Sequence, residues 1–184
     1  GAQVLVLVAA TSLGSDALSR KVLIDETKRA CTVNFNGVKL TPDAILPQSE
    51  TALRDIKLIG ALLIAAECTG TCAATLDTVV SYLTSRIQFG RLIGSYQSLK
   101  HPTVEMLIQM DSARSLIYHA ATVISDQPLD EDAEIGCRMA KAQATEALLF
   151  AGDRAIQFHG GMGFTYDCDA QLFLRRALGA QHQY

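Results

Sequence analysis

SETALRDIKLIGALLIAAECTGTCAATLDTVVSYL, residues 49 to 83, is the stretch that decides the fold. Ala52, Leu53, Ile56, Ile59, Leu63, Ala66, Gly70, Ala73, Leu76, Val80 and Leu83 recur at spacings of three and four, a helical period. Ser49 is placed to cap its start. A run of about 35 residues spans roughly 50 Å at 1.5 Å per residue. Gly60 and Gly70 lower helix propensity, and together with the many small alanines they predict another helix backbone approaching closely. Apolar groups on more than one face predict a helix packed on both sides.

The helical period continues downstream. A second helix is expected from about Leu99 to Ser125, with Met106, Met110, Ala113, Ile117, Ala120 and Ile124 on one face. Gln127-Pro128 reads as a loop, and the acidic cluster Asp130 to Glu134 as the first turn of a third helix. That helix carries Ile135, Met139, Ala142, Leu148, Ala151, Ala155 and Phe158 and stops at Gly160-Gly161. A short fourth helix covers about Asp169 to Leu178. Three long helices and a short one, joined by short loops, predict a mainly α chain built as an antiparallel four-helix bundle.

Upstream the period is that of strands. Val4 to Val8 and Lys21 to Ile24 are apolar runs, and Thr32 to Phe35 leads into Asn36-Gly37, followed by Val38 to Leu40. Asn-Gly between alternating runs predicts a hairpin. So short a set of strands buries too little to stand alone. It reads as the remnant of a β-barrel or sandwich domain, which divides the chain into 1–48 and 49–184. The first residues include no initiating Met and no basic leader, so the N-terminus reads as the middle of a larger protein.

Sixteen basic against nineteen acidic side chains give a net charge of −3, with the basic residues scattered along the chain. That balance predicts neither a nucleic-acid nor an anionic-membrane partner. The best apolar stretch, Leu58 to Cys72, is short and rich in Ala, Gly and Thr, so no membrane span is expected. The cysteines, Cys31, Cys68, Cys72, Cys137 and Cys168, are odd in number and lack a disulfide rhythm. They read as small buried residues in a reducing compartment, with no metal site.

Two loops carry more chemistry than a bundle needs. Arg86-Ile87-Gln88-Phe89-Gly90-Arg91 through Gly94-Ser95-Tyr96-Gln97 gathers two guanidiniums, two amides and two aromatic rings. A guanidinium forks onto a pyrophosphate, and an aromatic face covers a flat ring. Gln157-Phe158-His159-Gly160-Gly161-Met162-Gly163-Phe164 offers backbone N–H groups and an amide donor, which suit phosphate oxygens. Taken alone, the first also reads as a helix connection with surface arginines, and the second as a helix C-cap with a turn.

Their order and spacing together resemble the acyl-CoA dehydrogenase family. The first loop follows a long Ala-rich helix; two helices later come Gln157 to Thr165 and then Leu172-Phe173-Leu174-Arg175-Arg176. Phe35 to Val38 and Asp43 to Leu46 are similar to the end of that family's middle β-domain. The resemblance implies a C-terminal bundle in a dimer of dimers, homomeric or heteromeric, that clamps the FAD of a neighbouring subunit. It implies α,β-dehydrogenation of an acyl-CoA thioester, with an electron-transfer flavoprotein or similar acceptor as partner. A cytoplasmic location is expected, or the mitochondrial matrix in a eukaryote. By position, Arg86 and Gln88 would hold the pyrophosphate, with Phe89 near the adenine end. Tyr96 and Gln97 would add contacts, and Gln157, Phe158, His159, Gly160 and Gly161 would complete the clamp.

One departure stands out. The family's catalytic Glu lies either just beyond the arginines that match Arg175-Arg176, or on the first long helix. Those positions fall here at or near Tyr184 and near Gly60, and neither holds an acid. Asp55 and Glu67 are the nearest carboxylates on that helix. The catalytic base is therefore unassigned. It would lie outside these 184 residues or on a different subunit, which would make this chain a non-catalytic partner. The alternative from another class is a flavin-free helical oligomerisation module.

Overall fold

The computed structural model describes residues 4–47, 49–124 and 129–184. Four α-helices dominate: α1 (Ser49–Ser85), α2 (Gln97–Val123), α3 (Glu131–His159) and α4 (Ala170–Gln181). They form the expected up-down-up-down bundle. α3 sits at its centre, packed on α1, α2 and α4. Asp130 caps α3, its Oδ1 accepting the Ala133 N–H at 2.8 Å, and Glu131, Asp132 and Glu134 complement the helix dipole behind it. The capping role of the Ser49 side chain and the loop at Gln127-Pro128 fall outside the described residues.

The α1–α3 contact is built from small residues. Ala65, Cys68, Cys72 and Thr75 of α1 share the core with Ala140, Ala144, Ala147 and Ala151 of α3. Both cysteine thiols are pushed up to about 11, chiefly by burial, so they act as small apolar fillers. The buried stripe on α1 differs from the one its periodicity predicts. It runs through Leu58, Ala61, Ala65, Cys68, Cys72, Val79 and Leu83, while Ile56, Leu63 and Val80 are exposed, Leu63 at 66%. The two stripes are mostly offset by two residues, roughly 200° around a helix of 3.6 residues per turn. Apolar residues on several faces hid which one the bundle covers. On α3 likewise, Leu148, Ala151, Ala155 and Phe158 are buried, but Ile135 and Met139 are half exposed. By length and composition alone Glu50–Ser85 could also cross a membrane, yet half of its apolar window is buried inside the bundle.

The expected helix approach at Gly60 and Gly70 is not made. A Cβ on Gly60 would meet the Tyr184 ring at 2.6 Å, and one on Gly70 would meet nothing. The close approaches are at Gly152, where a Cβ would lie 2.8 Å from the Leu174 Cα of α4, and at Gly136, 3.3 Å from the Ala120 Cα of α2.

The N-terminal part holds β1 (Leu18–Lys21) paired antiparallel with β2 (Ala30–Val33), Leu18 opposite Val33. Val4 to Val8 makes a single bridge, Val6 to Ile45, rather than a strand. The hairpin expected around Asn36-Gly37 does not form. The turn exists, Val38 N–H donating to the Phe35 carbonyl at 3.2 Å, but φ is positive only at Gly37. The Asn-Gly hairpin turn needs positive φ at both residues, and other turns splay the strands. Residues 38–40 accordingly form no strand.

An ion cluster ties this part to the bundle. The Arg176 guanidinium of α4 donates to Asp25 and to Glu67 of α1, and its Nη2 to the Thr27 hydroxyl at 2.6 Å. Lys28 Nζ adds a 2.9 Å contact to Glu67. Burial pushes both carboxyls up, but hydrogen bonds from Thr27 and Arg176 outweigh it at Asp25, as Lys28 and Arg176 do at Glu67. Both end below their ordinary values. Groups with depressed folded-state pKa stabilise fully above the unfolded value, near pH 4, and lose that contribution as pH falls through the folded value. Arg176→Gln should therefore cost about 1–3 kcal/mol at neutral pH, and its gap to wild type in urea unfolding should close towards pH 3. A gap that does not change with pH would refute the clamp. Packing supplies a second test. Gly152→Ala should destabilise by about 1–3 kcal/mol, since backbone blocks its Cβ, whereas Gly70→Ala should stabilise by up to about 1 kcal/mol; equal melting shifts would contradict both assignments.

Candidate functional site

Arg86 follows the last residue of α1, its N–H bonded to the Tyr82 carbonyl at 2.9 Å. The chain then makes a miniature hairpin of β3 (Ile87–Gln88) and β4 (Arg91–Leu92), with Ile87 opposite Leu92. Phe89 and Gly90 form its two-residue turn with φ of 54° and 77°, the positive pair that such a tight hairpin requires. Glycine adopts that geometry freely, whereas a phenylalanine there is uncommon and strained. The same turn leaves the Phe89 ring 89% exposed.

Tyr96 props this hairpin from behind. Its ring meets Phe89 edge-on at 6.4 Å and lies 3.9 Å beneath the Arg91 guanidinium. Arg91 is thereby occupied. Arg86 makes no salt bridge or side-chain hydrogen bond among the described residues, so its full fork of donors is available. Gly94 serves sterically: a Cβ there would lie 2.7 Å from the Leu83 carbonyl.

The second loop starts where α3 ends. Gly160, at φ 60°, stops the helix and donates its N–H to the Gln157 carbonyl. His159 is buried; its Nδ1–H donates to the Ala155 carbonyl at 2.7 Å, and its ring stacks on Tyr82 at 4.2 Å. This bond fixes the tautomer and leaves Nε2 for the cleft. A Cβ on Gly161 would meet nothing, so the backbone there faces open space.

Because α1 and α3 run parallel, both loops emerge at the same end of the bundle and enclose a cleft of about 640 Å³. Arg86, Gln88, Phe89 and Tyr96 line it on one side, and Gln157, Phe158, His159, Gly160 and Gly161 on the other. Gln97 does not line it; it is the exposed first residue of α2. Sequence reasoning missed Tyr82 and Ser98, which do. Tyr82 lies one helical turn before Arg86, and that spacing was the available signal.

The donor set fits an anionic cofactor with a flat ring. Among the described residues no carboxylate lines the cleft, and a guanidinium, amide groups, backbone N–H groups and aromatic faces do.

The two positions matched to the family's base lie against each other at a different place. The Tyr184 ring packs on Gly60 so closely that a Cβ at position 60 would lie 2.6 Å from it. The two acids of α1 nearest Gly60 are engaged. Asp55 is 5% exposed, pairs with Arg54 and accepts the Leu129 N–H at 3.1 Å, while Glu67 belongs to the Arg176 cluster.

A sequence model described as "Acyl-CoA dehydrogenase, C-terminal domain" matches residues 58–182. Acyl-CoA dehydrogenase IpdE2 of Mycolicibacterium smegmatis is 34% identical over 140 residues, 74% of this chain and 42% of that protein. The chain thus spans less than half of that curated relative. Butyryl-CoA dehydrogenase from Megasphaera elsdenii superposes with a TM-score of 0.80 at 23% identity, over 91% of this chain and 45% of its own. A chain of the ChsE4-ChsE5 complex from Mycobacterium tuberculosis gives 0.80 at 22%, over 96% and 46%. Those two likenesses bear on the fold alone. With its bundle, its two loops and the matched domain in agreement, the chain belongs to the acyl-CoA dehydrogenase family.

Proposed function

We propose that this chain is the C-terminal part of an FAD-dependent acyl-CoA dehydrogenase, and that its bundle end clamps the FAD of a neighbouring subunit. The observation that carries the reading is the carboxylate-free cleft in which an unpaired Arg86 faces the Gln157–Gly161 loop. Arg86 would fork onto the pyrophosphate, Gln88 and Gln157 would add amide donors, and the backbone at Gly160 and Gly161 would complete the cradle. Phe89, held outward by its hairpin, would cover the adenine end. His159, anchored by Ala155 and Tyr82, would hold the wall of the cleft in place. Bound FAD supplies the acceptor for the hydrogen removed from an acyl-CoA thioester, and an electron-transfer flavoprotein or similar protein would take the electrons onward. Residues 1–48 would belong to the middle β-domain and 49–184 to the bundle. Exposed apolar residues on α1 and α2, such as Leu63, Val104 and Ile108, suit an oligomer in which the clamp reaches across an interface.

A specific observation favours a second component within this reading. With Gly60 under the Tyr184 ring and both Asp55 and Glu67 engaged, the part of α1 around Gly60 offers no free carboxylate among the described residues. Proton abstraction needs one within hydrogen-bond reach of the thioester α carbon. The base would therefore come from outside these residues, on the same polypeptide or on a second type of subunit. A flavin-free scaffold would have no need of Arg86, Gln88 and Gln157 around one cleft.

In the full-length protein, Arg86→Ala removes a charge-assisted pair worth about 1.5–3 kcal/mol, which predicts roughly ten- to hundred-fold weaker FAD retention. Absorbance of oxidised flavin after gel filtration reads it directly; unchanged flavin in both Arg86→Ala and Gln157→Ala would sink the clamp. The 184-residue chain supplied with excess FAD and an acyl-CoA should reduce no electron-acceptor dye. Steady turnover would mean that the base lies among these residues, with Glu67 and Asp55 the first to mutate.

A further inference from the structure

His159 is the one buried polar side chain among the described residues that line the flavin cleft, at 9% exposed. Its Nδ1 lies 2.7 Å from the Ala155 carbonyl, and a carbonyl oxygen only accepts, so Nδ1 carries a proton whether the ring is neutral or charged. Nε2 makes no hydrogen bond among the described residues. It is a bare acceptor while the ring is neutral and a donor once the ring is charged. The Ala155 bond and the Tyr82 ring, stacked at 4.2 Å, hold the imidazole in this one orientation.

The groups around His159 bring no negative charge to that nitrogen. α1 contributes Tyr82, the residue after it is Arg86, and the entry to α2 contributes Tyr96 and Ser98. The small hairpin and the glycine loop add only uncharged groups. Arg86 is the one charged side chain that lines the cleft among the described residues, and Arg91 is held on the Tyr96 ring. An anion within about 4–6 Å favours the charged form of an imidazole, and a second cation opposes it. Among the described residues nothing supplies that anion, so an imidazolium here finds its counter-charge in a bound ligand.

We propose that His159 takes up one proton from solvent as a pyrophosphate seats in the cleft, and that Nε2–H then donates to a phosphate oxygen. This role rests on the flavin-clamp reading, in which the anion belongs to FAD. The imidazole changes from a lone pair facing the anion to a charge-assisted donor beside Arg86. The complex then holds one more proton than the empty cleft. Cofactor affinity therefore rises as pH falls and declines as pH rises, by at most about tenfold per pH unit. An imidazole makes that change between about pH 5 and 8. A pyrophosphate diester has no proton to gain in that range, so the uptake belongs to the protein.

The test is calorimetric titration of the full-length protein, stripped of flavin, with FAD in two buffers of different ionisation enthalpy. The difference in heat counts protons, and net uptake is expected. FAD affinity should also fall by roughly fivefold or more from about pH 6 to about pH 8. In His159→Gln, whose amide keeps a donor but does not titrate, FAD should still bind while the uptake and the pH slope vanish. Tyr82→Phe removes the phenol and keeps the stack. Uptake that persists in His159→Gln, or disappears in Tyr82→Phe, would place the proton elsewhere and overturn the proposal. Absence of uptake by the wild-type protein overturns it without any variant, and is the result if a neutral Nε2 accepts from a sugar hydroxyl. FAD that binds without proton uptake leaves the clamp standing, whereas a stripped protein that takes up no FAD refutes the clamp and this role together.

Discussion

The close diagonal contact of α1 and α3 governs everything else in this structure. Two helices this long bring their ends together only if their backbones approach along the whole seam, and alanines and buried thiols permit that. Because the two helices run parallel, Arg86 after α1 and Gln157 to Gly161 closing α3 arrive at one end of the bundle. The Tyr82–His159 stack locks the two ends in register. A bulkier seam would separate the loops and dissolve the cleft without touching any residue that lines it.

The bundle also controls how the N-terminal part sits. Its two-stranded pairing has little core of its own, and Ala17 is its one apolar residue buried among those described. What fixes it is polar. Arg176 takes two carboxylates, one from each side of the junction, and Lys28 adds a second cation to Glu67. A guanidinium suits this task because its planar fork serves two acceptors at once, which a lysine's point charge does not. The junction is therefore specific in geometry and sensitive to acid, unlike the apolar seam inside the bundle.

What the sequence disclosed follows from these two kinds of interaction. Helix positions were legible, since caps, the Asp130 cluster and Gly160 are local signals. Membership of one cleft was legible for all the candidate residues but Gln97, because each loop is short and tied to a helix end. The interior stripe of α1 was not legible. Choosing between Leu63 and Ala65 as the buried residue depends on a neighbour 80 residues away, and both are apolar. The hairpin after Phe35 failed for a similar reason: Asn-Gly permits a hairpin but does not enforce it, and here only Gly37 takes positive φ. Gly60 illustrates a third limit. Periodicity identified a glycine in a helix and pointed to a helix neighbour, while the group that needs the space is an aromatic ring at the far end of the chain.

The placement of the two sites bears on how such a chain keeps one role without the other. Gly60 and the end of α1 at Ser85 are separated by roughly 38 Å at 1.5 Å per residue. A base must lie within hydrogen-bond reach of the carbon it deprotonates, so substitutions at Gly60 and Tyr184 act on a different place from the one that Arg86 serves. On the proposed reading, the cleft holds a neighbour's FAD while the Gly60 position belongs to this chain's own half of the assembly. Loss of the acid there costs nothing at the clamp, and loss of the clamp would disable the neighbour. In an assembly of two kinds of chain, that asymmetry preserves Arg86 and the Gln157–Gly161 loop while leaving the Gly60–Tyr184 end free to be filled by a ring.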